Sequence, residues 1–342
     1  MKSDPIDRLT DPRMRERLAQ RAQILREVRR WMESEHFLEI EPSVLAPWAG
    51  MEPSLDPLTT LAHLGVEADP TLLYHQTSPE YAMKKLLAAG YERIYSMGKV
   101  FRDYEGSPLH QIEFTMLEWY RAEADYIVLM DDTEALVEAC SIALNRSSQI
   151  NYQGHQIELQ RPWERITVSD AMLRWAGIDL GKCNDVASFR GHAREAGYEW
   201  MTDEDSESLF FKLWITHVEP NLGKDRPVWI IDYPIRFGAL ARAKPDDSSV
   251  AERCEAYIAG IELCNGFSEL TDAVEQRRRL ESEQAQRKAL GKEVVPEIDE
   301  DFLKAAERMP DSAGNALGID RLVMLLTDAA TIEEVVAFPL NP

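Results

Sequence analysis

The sequence predicts an α+β fold, an antiparallel sheet flanked by helices, in a single domain over residues 1–342. Three observations predict it. Two strand–turn–strand patterns lie far apart in the chain, RIYSMGKVFRDY with IEFTMLEWY and later CEAYIAGIELC. Proline-marked helix starts precede amphipathic stretches. No internal repeat or linker separates these pieces.

The elements follow in order. Asp11-Pro12 reads as a helix start, a capping side chain followed by proline at the first helical position. Met14, Leu18, Ile24, Leu25, Val28, Trp31 and Met32 then recur as one helical face, ending near 34–36. FLEIEP follows as a short strand led by Phe37 and Leu38 and stopped by Pro42. Residues 43–70 read as loop with short strands. Ser78-Pro79-Glu80 opens a second helix that Gly90 ends, with Glu80 suited to the positive N-terminus. The first strand pair is joined across EGSPL, and 126–145 reads as helix. The stretch 150–230 mixes short strands and helices without a legible order. The second hairpin turns at Ala259-Gly260, 272–308 is helical and charged with a break near 291–296, and AGNALGIDRLVMLL passes from strand to helix.

Composition excludes some classes. The chain is 44% hydrophobic and 29% charged, as expected of a globular protein with a sizeable core. A formal net charge of −22 argues against a broad phosphate-gripping surface. No apolar run approaches the ~18 residues of a membrane span, and the first residues carry no signal-peptide pattern. Cys140, Cys183, Cys254 and Cys264 form no CxxC pair, so reduced thiols in a cytoplasmic protein are expected.

Four constellations carry chemistry. Phe114, Met116, Glu118 and Tyr120 alternate onto one strand face, where a carboxylate beside a tyrosine suits a cationic group. Arg102 ends the preceding strand and could clamp phosphate or carboxylate; alone it is an ordinary surface arginine, and His110 is equally weak alone. With a two-residue turn at 259–260, Tyr257 faces Glu262 and Glu255 faces Cys264, so Glu255 and Glu262 become diagonal neighbours that would repel without a shared cation. Asn265 and Glu269 follow at once. Last, in the run 314–321, Gly314 and Gly318 let the backbone approach a ligand, and Arg321 falls in the first turn of the next helix.

Taken together, the pieces resemble the three motifs of class II aminoacyl-tRNA synthetases: the first helix with FLEIEP, KVFRDYEGSPLHQIEFTMLEWY, and GNALGIDRL. QTSPEYAMKKLLAAG, EFTMLEWYR and CNGFSELTDA resemble the elongation factor P–(R)-β-lysine ligase family, a lysyl-tRNA synthetase catalytic core without the anticodon-binding domain. With a helix that begins near residue 12, that domain is not expected ahead of it. Ala316 matches this family where lysyl-tRNA synthetases usually carry glycine.

The resemblance implies a homodimer that uses ATP and Mg²⁺. It implies Arg102 on the α-phosphate and substrate carboxylate, and Phe114 stacked on adenine with Arg321 over its other face. Glu105, His110 and Gly318 complete the nucleotide site. Glu255 and Glu262 would hold Mg²⁺. Ser78, Glu80, Asn265 and Ala316 would line the amino-acid pocket, with Glu118, Tyr120 and Glu269 on the distal ammonium. The chain departs from the pattern at Tyr104, where motif 2 usually has Glu; at the loop EGSPLHQIEF, which lacks the usual basic residue; and at Cys264.

The expected reaction is activation of lysine or (R)-β-lysine as an aminoacyl-adenylate and transfer to a lysine of elongation factor P. The alternatives are a free-standing lysyl ligase acting on tRNA or another acceptor, and a non-catalytic paralogue. No membrane partner is expected.

Overall fold

The computed structural model describes residues 5–183, 185–199 and 206–340; the remainder of the expected single domain over 1–342 lies outside them. The chain runs through α1 (Pro5–Thr10), α2 (Pro12–Ser34), β1 (Leu38–Glu39), β2 (Leu45–Ala46), β3 (Thr59–His63), β4 (Pro70–His75), α3 (Glu80–Ala88), β5 (Arg93–Phe101), β6 (Glu113–Ala122) and α4 (Tyr126–Asn145). Next come β7 (Gln149–Tyr152), β8 (His155–Glu158), β9 (Glu164–Thr167), α5 (Val168–Ala171), α6 (Val186–Glu195), α7 (Ser206–Leu213), β10 (Val228–Pro234) and β11 (Ala243–Lys244). The chain closes with β12 (Asp247–Ile258), β13 (Ile261–Ser268), α8 (Ala273–Ala289), α9 (Glu300–Ala306), β14 (Ser312–Gly318) and α10 (Ile319–Leu326).

The main sheet runs β1-β5-β6-β14-β13-β12-β10-β9, with β11 paired to β12. Its centre is antiparallel, as expected. The flanking pairs β1–β5 and β9–β10 are parallel, which local hairpin signals could not reveal. A separate sheet, β2-β4-β3, contains β4, a strand that the loop reading of 43–70 did not anticipate beyond its first residue.

Local chemistry explains the boundaries. The Asp11 carboxylate accepts from Arg13 N at 2.8 Å and starts α2. Met14, Ile24, Val28 and Met32 form its buried stripe. Asp125 caps α4 by accepting from the amides of Ile127 and Val128. Ala259 and Gly260 have φ of 54° and 75°, the doubly positive turn that matches strand twist in a two-residue hairpin.

The register beyond that turn corrects the sequence reading. Tyr257 does face Glu262, but an irregularity between Ala256 and Tyr257 sets Ala256 opposite Cys264 and Glu255 opposite Asn265. The extra residue keeps Asn265 on the polar face and turns Cys264 into the core.

The sheet separates two environments. On one face Leu117, Trp119, Cys254, Ala256, Leu263 and Leu317 pack with residues of α2, α4 and α10. Trp119 and Trp229 are fully buried; truncating either to alanine costs about 3–5 kcal/mol by the usual core scale. The opposite face holds the site. A second core, around Phe189, Phe210, Trp214 and Ile230, covers the β9–β10 edge.

Candidate active site

A cavity of about 1140 Å³ lies on the polar face of the sheet. It is lined by every predicted site residue except Glu269, including Ser78, Glu80, Arg102, Phe114, Glu118, Glu262 and Arg321.

The strand β14 clears space for it. Gly314 pairs with Tyr120, Ala316 with Glu118 and Gly318 with Met116, so the three small residues alternate onto the cavity face while Asn315 and Leu317 turn inward. At Gly314 the need for glycine is steric: a Cβ would sit 2.7 Å from Glu269 Oε1 and closer still to the Tyr120 ring. At Gly318 a Cβ would meet the Arg321 side chain, nearest at Cδ at 3.6 Å, an ordinary contact.

One end of the cavity is acidic. The Tyr120 hydroxyl donates to Glu118 Oε1 at 2.6 Å, and the Ser78 hydroxyl donates to Glu118 Oε2 at 2.7 Å. Ser78 Oγ also accepts from Glu80 N at 3.0 Å, so one hydroxyl both starts α3 and orients the pocket carboxylate. Burial, with repulsion from Glu80, pushes the Glu118 carboxyl up to about 7. The Oδ1 atom of Asn265 has no hydrogen-bond partner among the described residues and belongs to a residue of the cavity wall.

Glu269 stands behind this wall, 1% exposed. Burial raises its carboxyl to about 8, and Lys84 opposes that rise. The Lys84 ammonium, 1% exposed, bridges Glu80 Oε1 at 2.6 Å and Glu269 Oε2 at 2.5 Å. The sequence reading missed Lys84. Its spacing of four from Glu80 was the available signal, while its pairing with Glu269 is long-range.

The other end is basic. The Arg102 guanidinium lies 5.2 Å from the Phe114 ring centroid and 3.8 Å from Glu105. The structure therefore brings Arg102 onto the face of Phe114. Tyr104, in the place where motif 2 usually has Glu, is 79% exposed and has φ of 60°. Arg321 donates to Glu262 O at 2.7 Å and to His110 Nε2 at 2.6 Å. His110 Nδ1 meets Ser107 Oγ at 2.8 Å. A ring nitrogen that accepts from arginine must be unprotonated. Burial and the charges of Arg321 and Arg102 agree, lowering His110 to about 4.

Arg321 is placed by residues the sequence reading did not single out. Its neighbour Asp320 pairs with Arg21 of α2 at 2.5 Å and accepts from Thr115 N at 2.8 Å. Both bonds tie the start of α10 to β6 and α2.

The two hairpin carboxylates differ. Glu255 accepts from Tyr233 Oη at 2.5 Å, Tyr257 Oη at 2.8 Å and Arg253 Nη2 at 2.7 Å, so it is fixed in place. Glu262 lies nearby and is pushed up to about 7 by burial and by repulsion from Glu255. No group of three or more His, Cys, Asp or Glu side chains is arranged to hold a metal among the described residues. A divalent ion at this pair would relieve the repulsion and would need further oxygen ligands from a bound molecule such as a nucleotide. The donor set fits Mg²⁺ in that manner.

Residues 3–342 match the family described as tRNA synthetases class II (D, K and N). The chain is 37% identical over 346 residues to a lysine–tRNA ligase of Thermosynechococcus vestitus, covering 98% of the chain and 65% of the relative. It is 37% identical over 335 residues to that of Moorella thermoacetica, covering 98% and 67%. It is 38% identical over 346 residues to that of Nostoc punctiforme, covering 98% and 59%. The chain thus spans about two thirds or less of the length of these relatives. It belongs to the class II tRNA synthetase family of the D, K and N type.

Proposed function

We propose that this protein is an ATP-dependent ligase that activates lysine or (R)-β-lysine and transfers it to a lysine side chain of elongation factor P. The carrying observation is one cavity with guanidiniums at one end and oriented buried carboxylates at the other. A zwitterion with a distal ammonium matches that polarity, because a substrate lacking the ammonium brings no counter-charge to Glu118.

In the first step a carboxylate oxygen of the amino acid attacks the α-phosphorus of ATP. The C–O–P bond forms, the bond to the leaving pyrophosphate breaks, and Arg102 and Arg321 neutralise charge on the phosphates. Glu255 and Glu262 would hold Mg²⁺, whose charge would offset that of the leaving group. In the second step an acceptor amine, having lost its proton, attacks the activated carbonyl and AMP leaves. No protein nucleophile is required; the chain orients the partners and balances charge.

Two features support a protein acceptor. Ala316 lies opposite both Glu118 and Asn265 in the amino-acid pocket, at the position where the resemblance favours the elongation factor P ligases. The net charge of −22 opposes a polyanion. The names of the relatives favour the second reading, tRNA as acceptor.

The test is ATP–pyrophosphate exchange with α-lysine, (R)-β-lysine and the other standard amino acids, followed by transfer assays with elongation factor P and with tRNA. Exchange confined to lysine-like substrates and acylation of elongation factor P are expected. No exchange with any lysine isomer overturns the reading, and charging of tRNA alone replaces the acceptor.

A further inference from the structure

We propose that Lys84 is a positioning residue: a built-in ammonium that holds Glu80 and Glu269 and sets the charge of the amino-acid pocket. The inference deepens the lysine-activation reading and rests on it.

The geometry carries the argument. Lys84 is 1% exposed, and its ammonium spans carboxylates of two different elements, Glu80 on α3 and Glu269 just beyond β13. The rings of Phe267 and Phe302 lie 5.1 and 5.8 Å from it. Buried there, the ammonium holds one oxygen of each carboxylate. Glu80 Oε2 and Glu269 Oε1 are left for other contacts, and Glu269 Oε1 points at Gly314 beside Tyr120.

The charge balance has a functional meaning. The Glu80 carboxylate of α3 repels Glu118 of β6 and Glu269, and also Glu52 in the loop after β2 and Glu283 of α8, while Glu118 repels Glu269. Arg102 also acts on Glu52 from the end of β5, and Tyr120 donates to Glu118. Lys84 is the lysine buried among the three pocket carboxylates, and both Glu118 and Glu269 are held lower by it. With Lys84 present, the carboxylates left over pair with the ammonium groups of a diamino acid. Without it, they would take up protons instead, and protonated carboxyls bind an ammonium poorly.

The experiment measures lysine-dependent ATP–pyrophosphate exchange against pH for wild type, Lys84→Met and Lys84→Arg. Lys84→Met is expected to raise the KM for lysine at least tenfold while the KM for ATP stays within about twofold. The acid limb of kcat/KM for lysine is expected to move up by about one pH unit, the size of a neighbouring-charge effect. Lys84→Arg should return the limb to its wild-type position. If Lys84→Met does not fold, Lys84→Gln, whose amide can still donate to one carboxylate, carries the same readout. An unmoved acid limb, or equal losses toward lysine and ATP, makes Lys84 a structural support and overturns the proposal. Wild-type exchange that ignores lysine overturns the underlying reading instead, so the two failures are distinguishable.

Discussion

Replacing Glu118 with glutamine should make the protein more stable and less able to activate lysine. Glu118 is 2% exposed, and burial raises its carboxyl from 4.5 to about 7. A carboxyl whose folded pKa lies above its unfolded value destabilises the fold once both states are ionised. Stability therefore falls as pH rises from 4.5 to about 7, and the loss is complete above 7. At 1.36 kcal/mol per unit the shift corresponds to about 3 kcal/mol at pH 8, and to less than ~1 kcal/mol at pH 5. Glutamine keeps an acceptor for the Tyr120 hydroxyl and carries no charge. Thermal unfolding at the two pH values is the assay: Glu118→Gln should unfold at a higher temperature than wild type at pH 8 and at nearly the same temperature at pH 5. In parallel, loss of a charge-assisted bond to a buried ammonium, about 3–5 kcal/mol, should lower kcat/KM for lysine by roughly 10²–10⁴-fold. A variant less stable than wild type at pH 8, or one whose stability difference is the same at both pH values, refutes the electrostatic account. Retained lysine activation refutes the assignment of Glu118 to the substrate ammonium.

Three further substitutions test the frame around the pocket. Gly314→Ala places a methyl 2.7 Å from Glu269 Oε1 and nearer still to the Tyr120 ring, so it should destabilise by about 1–3 kcal/mol and abolish lysine-dependent exchange, whereas Gly318→Ala should fold normally; denaturant titration of both compares them. Arg287, fully buried, donates to the carbonyls of Glu52, Leu55 and Val294 and to Asp56. Arg287→Met should cost about 3–5 kcal/mol and release 52–56, read as faster amide exchange in that loop.

The parts of the fold legible in the sequence were those fixed by neighbouring residues. Asp11-Pro12, Ser78-Pro79-Glu80 and Ala259-Gly260 each settle their own backbone, and the structure starts or turns an element at each. Alternation put Glu118 and Tyr120 on one face, where they line the cavity. What escaped notice depended on distant chain. The β12–β13 irregularity that sets Asn265 opposite Glu255 has no local signature. The Lys84–Glu269 and Arg21–Asp320 pairs join residues far apart in sequence, and only the sheet order brings them together. Strand β4 begins at Pro70, a residue that reads as a breaker but fits where β4 starts against β3.

The same electrostatic quantity governs both stability and selectivity in this pocket. Desolvation raises Glu118 and Glu269 because each would rather be neutral than charged in the interior. On the proposed reading, an ammonium arriving beside them removes that penalty, so part of the binding free energy is the relief of a cost already present in the fold. A neutral isostere of lysine would leave the cost in place, and an acidic one would add to it. Lys84 limits how far this can go: with no internal cation the carboxylates would protonate and the attraction would vanish, while a second internal cation would satisfy them and leave nothing for the substrate. One buried lysine beside three carboxylates keeps the pocket anionic enough to select an ammonium and compensated enough to stay folded.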